Sequence, residues 1–273
     1  MPRPRKIFDR LAGKTAIVTG AGGVPTGDGI GMAIAQLFAA EGAHVVVVDS
    51  SQDRANYTQA LIAATDGRAS VFVADVSEEA ACGQIIASAV ELTGRVDILV
   101  NNAGIAGGGN RLEELDIIHW QRVFDVNLKG ALLMTRAAQA ALLKPGGVVL
   151  NIASVAALRV QGTSFAYGPS KAALINLTQE LALVYGPAGL RVNAICPGHL
   201  YTPMVARMDA ETRELRRRVA PLRLEGDAWD VAQAALYFAS DEARFVTGAC
   251  LAVDGGVTVT AALAALELAQ RDC

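Results

Sequence analysis

The chain is poor in aromatic residues and contains no long apolar run. Only 5% of its 273 residues are aromatic, whereas 52% are hydrophobic and 27 are glycine. This balance is typical of a sheet of aliphatic strands covered by helices. The longest aliphatic runs are strand-sized and much too short to span a bilayer. The basic N-terminus MPRPRKIFDRL lacks the apolar core of a secretion signal. We therefore expect a cytoplasmic protein with no membrane segment.

Charge and cysteine are also scarce. The net charge of −3 gives no electrostatic footprint for nucleic acid. Four scattered cysteines, Cys82, Cys196, Cys250 and Cys273, show neither paired nor metal-ligand spacing. We expect buried, reduced thiols and no metal site.

Apolar runs of strand length alternate with stretches of helix length. Continuous aliphatic runs, such as 43–48 and 148–152, are typical of strands buried on both faces. The predicted strands are 15–19, 43–49, 70–74, 97–101, 147–153, 191–196 and 250–254; the predicted helices are 31–42, 52–65, 78–93, 116–143, 167–186 and 227–239. This alternation predicts an α/β fold: a single Rossmann-type, doubly wound sheet of seven parallel strands flanked by helices. Since no linker or repeat divides the chain, we expect one domain over residues 1–273.

A glycine-rich turn follows the first predicted strand. After Gly20 the chain reads AGGVPTGDGIG before the next helix. Glycines at such a junction allow tight turns, and the helix N-terminus favours a pyrophosphate. Asp49 ends the second strand, where a carboxylate can accept hydrogen bonds from ribose hydroxyls and would repel a 2′-phosphate. Because Ser50 and Ser51 supply no cation, the sequence predicts NAD rather than NADP as the cofactor.

Tyr167 and Lys171 lie four residues apart, on one face of a predicted helix. An ammonium there can lower the pKa of a phenol that normally titrates near about 10. Ser154, thirteen residues before the tyrosine, follows another strand, so its hydroxyl can converge with the phenol on one substrate oxygen. The three residues suggest proton exchange with an alcohol or ketone.

These motifs resemble the classical short-chain dehydrogenase/reductase family over nearly the whole chain. The matching elements are Thr19-Gly20 with Gly29-Ile30-Gly31, Asp75-Val76, Asn101-Asn102-Ala103-Gly104, Asn127, Ser154, Tyr167 with Lys171, Pro197-Gly198, Thr202-Pro203-Met204 and Val253-Asp254-Gly255-Gly256.

The resemblance implies a role for each matching residue. Tyr167 would be the general acid/base, Ser154 would orient the substrate oxygen, and Lys171 would bind the nicotinamide ribose and lower the tyrosine pKa. Asn127 would hold a water that links Lys171 to solvent, and Asn101 would brace the central strands. The implied cofactor-binding residues are Gly20, Gly29, Ile30, Asp49, Asp75, Val76, Asn102, Ala103, Gly104, Tyr167, Lys171, Pro197, Gly198 and Thr202. Among these, Asp75 and Val76 would meet the adenine.

Two segments leave questions open. Eight residues, 21–28, separate the first glycine from the Gly-x-Gly pair, where the family usually has three, so the extra residues must bulge near the cofactor. Residues 199–225 are the expected substrate lid and carry six arginines. These could capture a carboxylate, phosphate or thioester carrier, or form a solvated helix with ion pairs such as Glu214 to Arg218. The lid contains no recognisable substrate code.

The sequence thus predicts an NAD-dependent oxidoreductase that interconverts a secondary alcohol and a ketone by hydride transfer. The alternatives are a 3-oxoacyl-carrier-protein reductase, which shares every motif but usually uses NADPH, and a non-catalytic NAD-sensing protein. The helix at 116–143 is apolar over much of its circumference, which favours burial by a second subunit in a homodimer or homotetramer. The alternative is a helix buried wholly in its own domain. We expect a small-molecule substrate and no nucleic-acid partner.

Overall fold

The computed structural model describes residues 9–107, 109–144, 146–162, 164–203 and 208–270. Its strands are β1 (Thr15–Thr19), β2 (His44–Asp49), β3 (Arg68–Val73), β4 (Ile98–Asn101), β5 (Val148–Ile152), β6 (Arg191–Pro197) and β7 (Cys250–Val253). All seven pair in parallel in one sheet, in the order β3-β2-β1-β4-β5-β6-β7. The predicted fold class is confirmed, and strand boundaries differ from the prediction by one or two residues.

The strands at the centre of the sheet are aliphatic, which suits their complete burial. β1, β4 and β5 are buried along their whole length, and β-branched residues suit such pleated, packed surfaces. The strand order reverses between β1 and β4, so the connections from these two strands leave in opposite directions. A crevice opens at their carboxyl ends, where ligands of doubly wound sheets bind.

Helices flank both faces of this sheet. They are α1 (Ile30–Ala40), α2 (Gln52–Ala63), α3 (Glu79–Thr93), α4 (Ile117–Phe124), α5 (Gly130–Leu142), α6 (Tyr167–Tyr185), α7 (Ala210–Arg218), α8 (Ala228–Ala239) and α9 (Ala262–Gln270). On one face α1 and α8 bury Phe38 and Leu236. On the other face α3, α5 and α6 bury Ile85, Met134 and Ala182.

One helix differs from the prediction, and two further segments gain detail. The helix expected at 116–143 is two helices, α4 and α5, joined by a π-helical turn over Asp125–Lys129. The expected lid at 199–225 contains α7, and residues 204–207 of that lid lie outside the described residues. The C-terminal tail forms α9, which contacts α7. Among the described residues, no helix combines the length and apolar character needed to cross a membrane.

Candidate active site

Most of the predicted site residues lie where strands end at the crevice. Gly20 follows β1, Asn102 follows β4, Ser154 comes shortly after β5, and β6 ends at Pro197. Parallel pairing places these strand ends along one edge of the sheet. The fold therefore brings together residues that are far apart in sequence.

The glycine turn is packed so tightly that side chains would not fit. Gly20 has φ +60°, and a Cβ on it would lie 2.7 Å from the Cα of Ala103. A Cβ on Gly31 would lie 2.3 Å from the carbonyl oxygen of Gly20. Asn102 fastens the turn, because its Nδ2 donates to two of the turn's carbonyls at 3.0 and 2.9 Å. A Cβ on Gly29 would meet nothing within 4 Å, so the backbone at the start of α1 is accessible.

Asp49 is buried at the end of β2. Its Oδ2 accepts from the backbone N–H of Gly22 at 2.9 Å, and its Oδ1 accepts from that of Ser51 at 3.0 Å. Each oxygen keeps a further lone pair for a ligand. Arg54 lies close by, since its Nη2 is 3.4 Å from the carbonyl oxygen of Gly22. Arg54 is a cation near Asp49 that the prediction from Ser50 and Ser51 did not include.

The lengthened loop at 21–28 reaches from the glycine turn toward the predicted lid. Val24 and Gly27 form an antiparallel bridge within it. The indole Nε1 of Trp229 in α8 donates to Asp28 Oδ2 at 2.8 Å. A Cβ on Gly27 would lie 3.5 Å from the ring of Pro203. The extra residues therefore link the glycine turn to α8 and to the start of the lid.

The structure brings Ser154 and Tyr167 together. Tyr167 is the first residue of α6, and the Oγ of Ser164 accepts from its backbone N–H at 2.9 Å. This contact satisfies a donor at the helix start, as capping hydroxyls do. The Ser154 hydroxyl lies close enough to the phenol of Tyr167 to act on its pKa. The two hydroxyls thus converge, as expected from their placement after β5 and at the head of α6.

Lys171 lies one helical turn after Tyr167 and is only 3% exposed. Its Nζ donates to the carbonyl oxygen of Ile152 at 2.8 Å and lies 5.9 Å from the centre of the Tyr167 ring. Burial lowers the pKa of Lys171 from 10.5 to about 8. The fold therefore holds an ammonium against the carboxyl end of β5.

The expected lowering of the tyrosine pKa is not found. Burial raises the pKa of Tyr167 above its usual value, and the nearby Ser154 hydroxyl opposes this rise only in part. The four-residue spacing predicts that the Lys171 ammonium lies next to the phenol and lowers its pKa. In the structure the ammonium instead donates a hydrogen bond to the Ile152 carbonyl. Helical spacing fixes the shared face, but the local acceptor decides where the ammonium points.

Asn127 occupies the π-helical turn between α4 and α5 and is buried. Its Oδ1 accepts from the N–H of Ile105 at 2.8 Å, and its Nδ2 donates to the Ile105 carbonyl and to Ser170 Oγ, both at 3.0 Å. A Cβ on Gly104 would lie 3.3 Å from both Asn127 Oδ1 and Lys171 Nζ. Asn127 thus anchors the loop after β4 close to Lys171.

Asp75 and Val76 follow β3, on the side of the sheet edge that carries Asp49. The Oδ1 of Asp75 accepts from the N–H and the hydroxyl of Ser77 at 2.9 and 2.7 Å, and its other oxygen pairs with Arg122 of α4. Burial acts to raise the pKa of Asp75, but these hydrogen bonds and the guanidinium hold it below its usual value. Val76 is buried. Asp75 therefore stays ionised at neutral pH.

The end of β6 packs closely against the turn after β7. A Cβ on Gly198 would lie 2.4 Å from the Cβ of Asp254, and the Gly198 N–H donates to the Val253 carbonyl at 2.9 Å. Thr202 is half-buried at the start of the lid. Met204, the last residue of that motif, lies outside the described residues.

Two cysteines that look unrelated in sequence meet in the structure. The Sγ atoms of Cys196 in β6 and Cys250 in β7 lie 3.2 Å apart. The register pairs Ala194 with Cys250, which places both thiols on the same face of neighbouring strands. The hydrogen bond with Cys250 and burial raise the pKa of Cys196, so it stays a protonated thiol. Both thiols are free, as expected, although the sequence did not predict their contact.

Part of the lid carries neutralised surface charge. In α7, Arg213 pairs with Glu225 and Arg217 pairs with Glu214. The expected pair of Glu214 with Arg218 is therefore replaced by a pair three residues apart. For Arg213 and Arg217, the solvated-helix interpretation describes the structure.

The glycine turn, the Ser154–Tyr167 contact and the buried Lys171 agree with the comparison to known families. A family model described as Enoyl-(Acyl carrier protein) reductase matches residues 23–258. The chain belongs to the short-chain dehydrogenase/reductase family.

Two curated relatives and a solved structure share most of this chain. The chain is 38% identical over 259 residues to 2-(S)-hydroxypropyl-CoM dehydrogenase 3 from Xanthobacter autotrophicus, and the match covers 92% of this chain and 99% of the relative. It is 40% identical to 3beta-hydroxysteroid dehydrogenase 1 from Eggerthella lenta, with 93% and 97% covered. A short-chain dehydrogenase/reductase from Burkholderia xenovorans matches its fold with a TM-score of 0.87 at 40% identity, with 92% and 99% covered. The chain described in this structure is therefore an oxidoreductase that acts on alcohol and ketone groups.

Three supporting residues of this short-chain dehydrogenase/reductase were not predicted. Ser164 satisfies the backbone donor at the start of α6, and its position three residues before Tyr167 is the signal that capping rules provide. Ser170 holds the Asn127 amide. Arg54 reaches the glycine loop from the first turn of α2, a position that could have been weighed together with Asp49.

Proposed function

We propose that this protein interconverts a secondary alcohol and a ketone with NAD(H) as the hydride carrier, within one domain over residues 1–273. The observation that carries the proposal is the proximity of the Ser154 and Tyr167 hydroxyls, with the buried Lys171 one helical turn away. The proposed catalytic residues are Asn127, Ser154, Tyr167 and Lys171. Such a set of perturbed groups at a crevice is typical of an active site.

Tyr167 exchanges the proton of the substrate oxygen. Because burial raises its pKa, the phenol is protonated at neutral pH and can donate to the oxygen of a ketone. Ser154 donates a second hydrogen bond to that oxygen, and two donors stabilise the negative charge that develops there. A bound nicotinamide supplies the hydride. In the oxidative direction Tyr167 acts in its deprotonated form, and the phenolate takes up the hydroxyl proton.

Lys171 and Asn127 support this proton exchange. The Lys171 ammonium is nearly excluded from water, where a charge acts over a longer range than at the surface. It stabilises a phenolate after Tyr167 has given up its proton. Asn127 fixes the loop after β4 beside this ammonium through its contacts with Ile105. We thus assign the stabilising positive charge to Lys171 and the positioning of the adjacent loop to Asn127.

The residues of the glycine turn fit a dinucleotide. Gly20 and Gly31 allow the tight turn, and Gly29 leaves the N-terminus of α1 open, where a pyrophosphate is favoured. Asp49 keeps lone pairs that can accept ribose hydroxyls, and its charge would repel a 2′-phosphate. The other proposed contacts are Ile30, Asp75, Val76, Asn102, Ala103, Gly104, Pro197, Gly198 and Thr202. Arg54 is the feature that opposes this preference, because guanidinium groups pair with phosphates.

Two related reactions compete with this proposal. A 3-oxoacyl-carrier-protein reductase would use the same catalytic residues, so cofactor and substrate preference decide between them. Enoyl reduction, named in the family model's description, places a proton on carbon. The convergence of Ser154 and Tyr167 on one point favours chemistry at an oxygen.

A homodimer or homotetramer in the cytoplasm is part of the proposal. Large apolar side chains are exposed on three consecutive helices: Ile117 and Ile118 of α4, Leu132 of α5, and Leu183 and Val184 of α6. Ile118 is 83% exposed. Clustered apolar exposure of this kind marks interaction surfaces. The free thiols Cys196 and Cys250 are in keeping with a reducing compartment.

A panel of secondary alcohols and ketones tests the proposed function. NADH formation and consumption are followed spectrophotometrically, and Tyr167→Phe is compared with Tyr185→Phe at the far end of the same helix. We expect Tyr167→Phe to lower turnover by roughly 100- to 10,000-fold, the usual contribution of an acid/base group. Tyr185→Phe should leave turnover within a few-fold. Near-normal turnover by Tyr167→Phe with a good substrate would remove the acid/base assignment.

A further inference from the structure

Arg216 differs from its neighbours in α7. It is half-buried, and its Nη1 lies 3.2 Å from the Sδ of Met208. Whereas Arg213 and Arg217 have carboxylate partners, Arg216 forms no ion pair with any carboxylate in the described part of the chain. Glu225 acts on its pKa only as a distant charge, and burial lowers that pKa. Among the described lid residues, Arg216 thus differs from Arg213 and Arg217 in being half-buried without an ion-paired carboxylate.

The packing of α7 places Arg216 above the end of β6. Ala220 follows Arg216 by one helical turn, on the same face. A Cβ on Gly255 would lie 3.5 Å from the Cβ of Ala220, which docks the end of α7 on the turn after β7. That turn also packs against Gly198. Arg216 lies one helical turn before Ala220, and it is close enough to His199, the residue after Gly198, to act on the pKa of that histidine.

That residue is His199, and it is incompletely satisfied. Its Nδ1 is buried and has no hydrogen-bond partner among the described residues. Burial and then the positive charge of Arg216 lower the pKa of His199, so the imidazole is neutral at pH 7. A neutral imidazole can donate one hydrogen bond. The imidazole also interacts by a hydrogen bond with the backbone of Arg216, which acts to raise its pKa. The donors and the positive charge offered to a ligand are therefore those of the Arg216 guanidinium.

Because Arg216 is half-buried, its guanidinium loses part of its hydration, and no carboxylate among the described residues pairs with it in exchange. A carboxylate ligand would replace that hydration, because the planar guanidinium matches carboxylate geometry with paired hydrogen bonds. An uncharged ligand would leave the cost in place. The position in the lid, close to the turn that ends β6, points to the substrate as the source of that anion.

We propose that Arg216, assisted by His199, is a specificity-determining residue that pairs with a carboxylate on the substrate. The preferred substrates are then hydroxy acids and oxo acids. This inference rests on the proposed alcohol–ketone reaction, because Arg216 is assigned to the same crevice as Tyr167.

Matched acids and esters test this inference. The probes are the oxo acids CH3CO(CH2)nCOO⁻, with n from 2 to 5, and their methyl esters, each reduced with NADH. The quantity measured is the ratio of kcat/KM for the acid to that for its ester. We expect the unaltered protein to favour the acid at one chain length. Arg216→Met should lower this ratio on the order of 10- to 100-fold, the usual effect of losing a hydrogen-bonded charge.

Two further variants separate charge from general damage. Arg213→Met, three residues earlier in the same helix, should leave the ratio unchanged because Arg213 pairs with Glu225. Arg216→Lys should retain part of the ratio, since it keeps the charge but loses the paired geometry. As a readout without turnover, an oxo acid should raise the melting temperature of the NAD⁺-bound protein, which cannot reduce it, more than its ester does. Arg216→Met should abolish that difference.

The outcomes distinguish this inference from the proposed function. Equal use of acids and esters at every chain length, or an unchanged ratio in Arg216→Met, would overturn the role of Arg216 while leaving the alcohol–ketone reaction standing. If neither these probes nor the panel of neutral alcohols and ketones reacted, the proposed function would fail and this inference with it.

Discussion

Replacing Lys171 with methionine should make the folded protein less sensitive to alkaline pH. The ammonium is 3% exposed and hydrogen-bonded to the Ile152 carbonyl, and burial lowers its pKa from 10.5 to about 8. A pKa that is lower in the folded than in the unfolded chain means that the unfolded chain binds more protons between these two values. The stability of the unaltered protein should therefore rise with pH in that window.

The magnitude follows from the same two pKa values. Each pKa unit corresponds to about 1.4 kcal/mol, so the full penalty of holding the charged lysine is about 3 kcal/mol below pH 8. Between pH 7 and pH 9.5 the unaltered protein should recover about 2 kcal/mol of this through loss of the proton. Lys171→Met has no such proton to lose. Lys171→Met also removes the hydrogen bond to the Ile152 carbonyl. This loss changes the free energy of unfolding by the same amount at every pH, so it does not alter the pH dependence of the difference between the two proteins.

Urea unfolding at several pH values between 7 and 9.5, at one protein concentration, measures this difference. Lys144→Met is the matched control, since Lys144 is exposed. The free energy of unfolding of Lys171→Met minus that of the unaltered protein should fall by about 2 kcal/mol across this range. The corresponding difference for Lys144→Met should stay constant. A constant difference for Lys171→Met would refute the reasoning that this ammonium is held at a cost.

Two further predictions concern the cofactor and the assembly. Asp49→Ala should weaken NAD binding and narrow its advantage over NADP, because the 2′-phosphate is no longer repelled; fluorescence titration of both nucleotides measures this, and tighter NADP binding by the unaltered protein would contradict it. Light scattering at micromolar concentration should give a dimer or tetramer mass, since apolar side chains such as Ile118 and Leu183 are exposed. A clean monomer mass would remove that expectation.

The sheet was predictable because the amino-acid composition of its strands indicates that they are buried. A strand buried on both faces is a continuous aliphatic run, as β2 and β5 are. The glycine turn and the Ser154, Tyr167 and Lys171 positions were predictable for a related reason. They lie at strand ends or at the start of a helix, and parallel pairing brings such ends together.

Features that depend on packing between distant segments were not predictable. The helix at 116–143 has no proline or internal pattern that signals the π-helical turn. That turn accompanies the bonding of Asn127 to Ile105, twenty-two residues earlier. The contact between Cys196 and Cys250 depends on the register of β6 with β7. The direction of the Lys171 ammonium depends on the Ile152 carbonyl, which helical spacing does not reveal.

Several polar groups that the fold holds at a cost lie where β4, β5 and β6 end, while two others, Arg10 Nε and Gln36 Nε2, lie elsewhere. Lys171 is a buried ammonium beside β5. The Oδ1 of Asn101, the last residue of β4, and the Nδ1 of His199, just after β6, are buried without a partner among the described residues. A sequence under pressure for stability alone would replace such groups with apolar ones. Retaining them where three neighbouring strands end is expected if ligands or reacting atoms use them. The Lys171→Met and Arg216→Met experiments therefore test one property in two places: whether unfavourable burial marks the working surface of this enzyme.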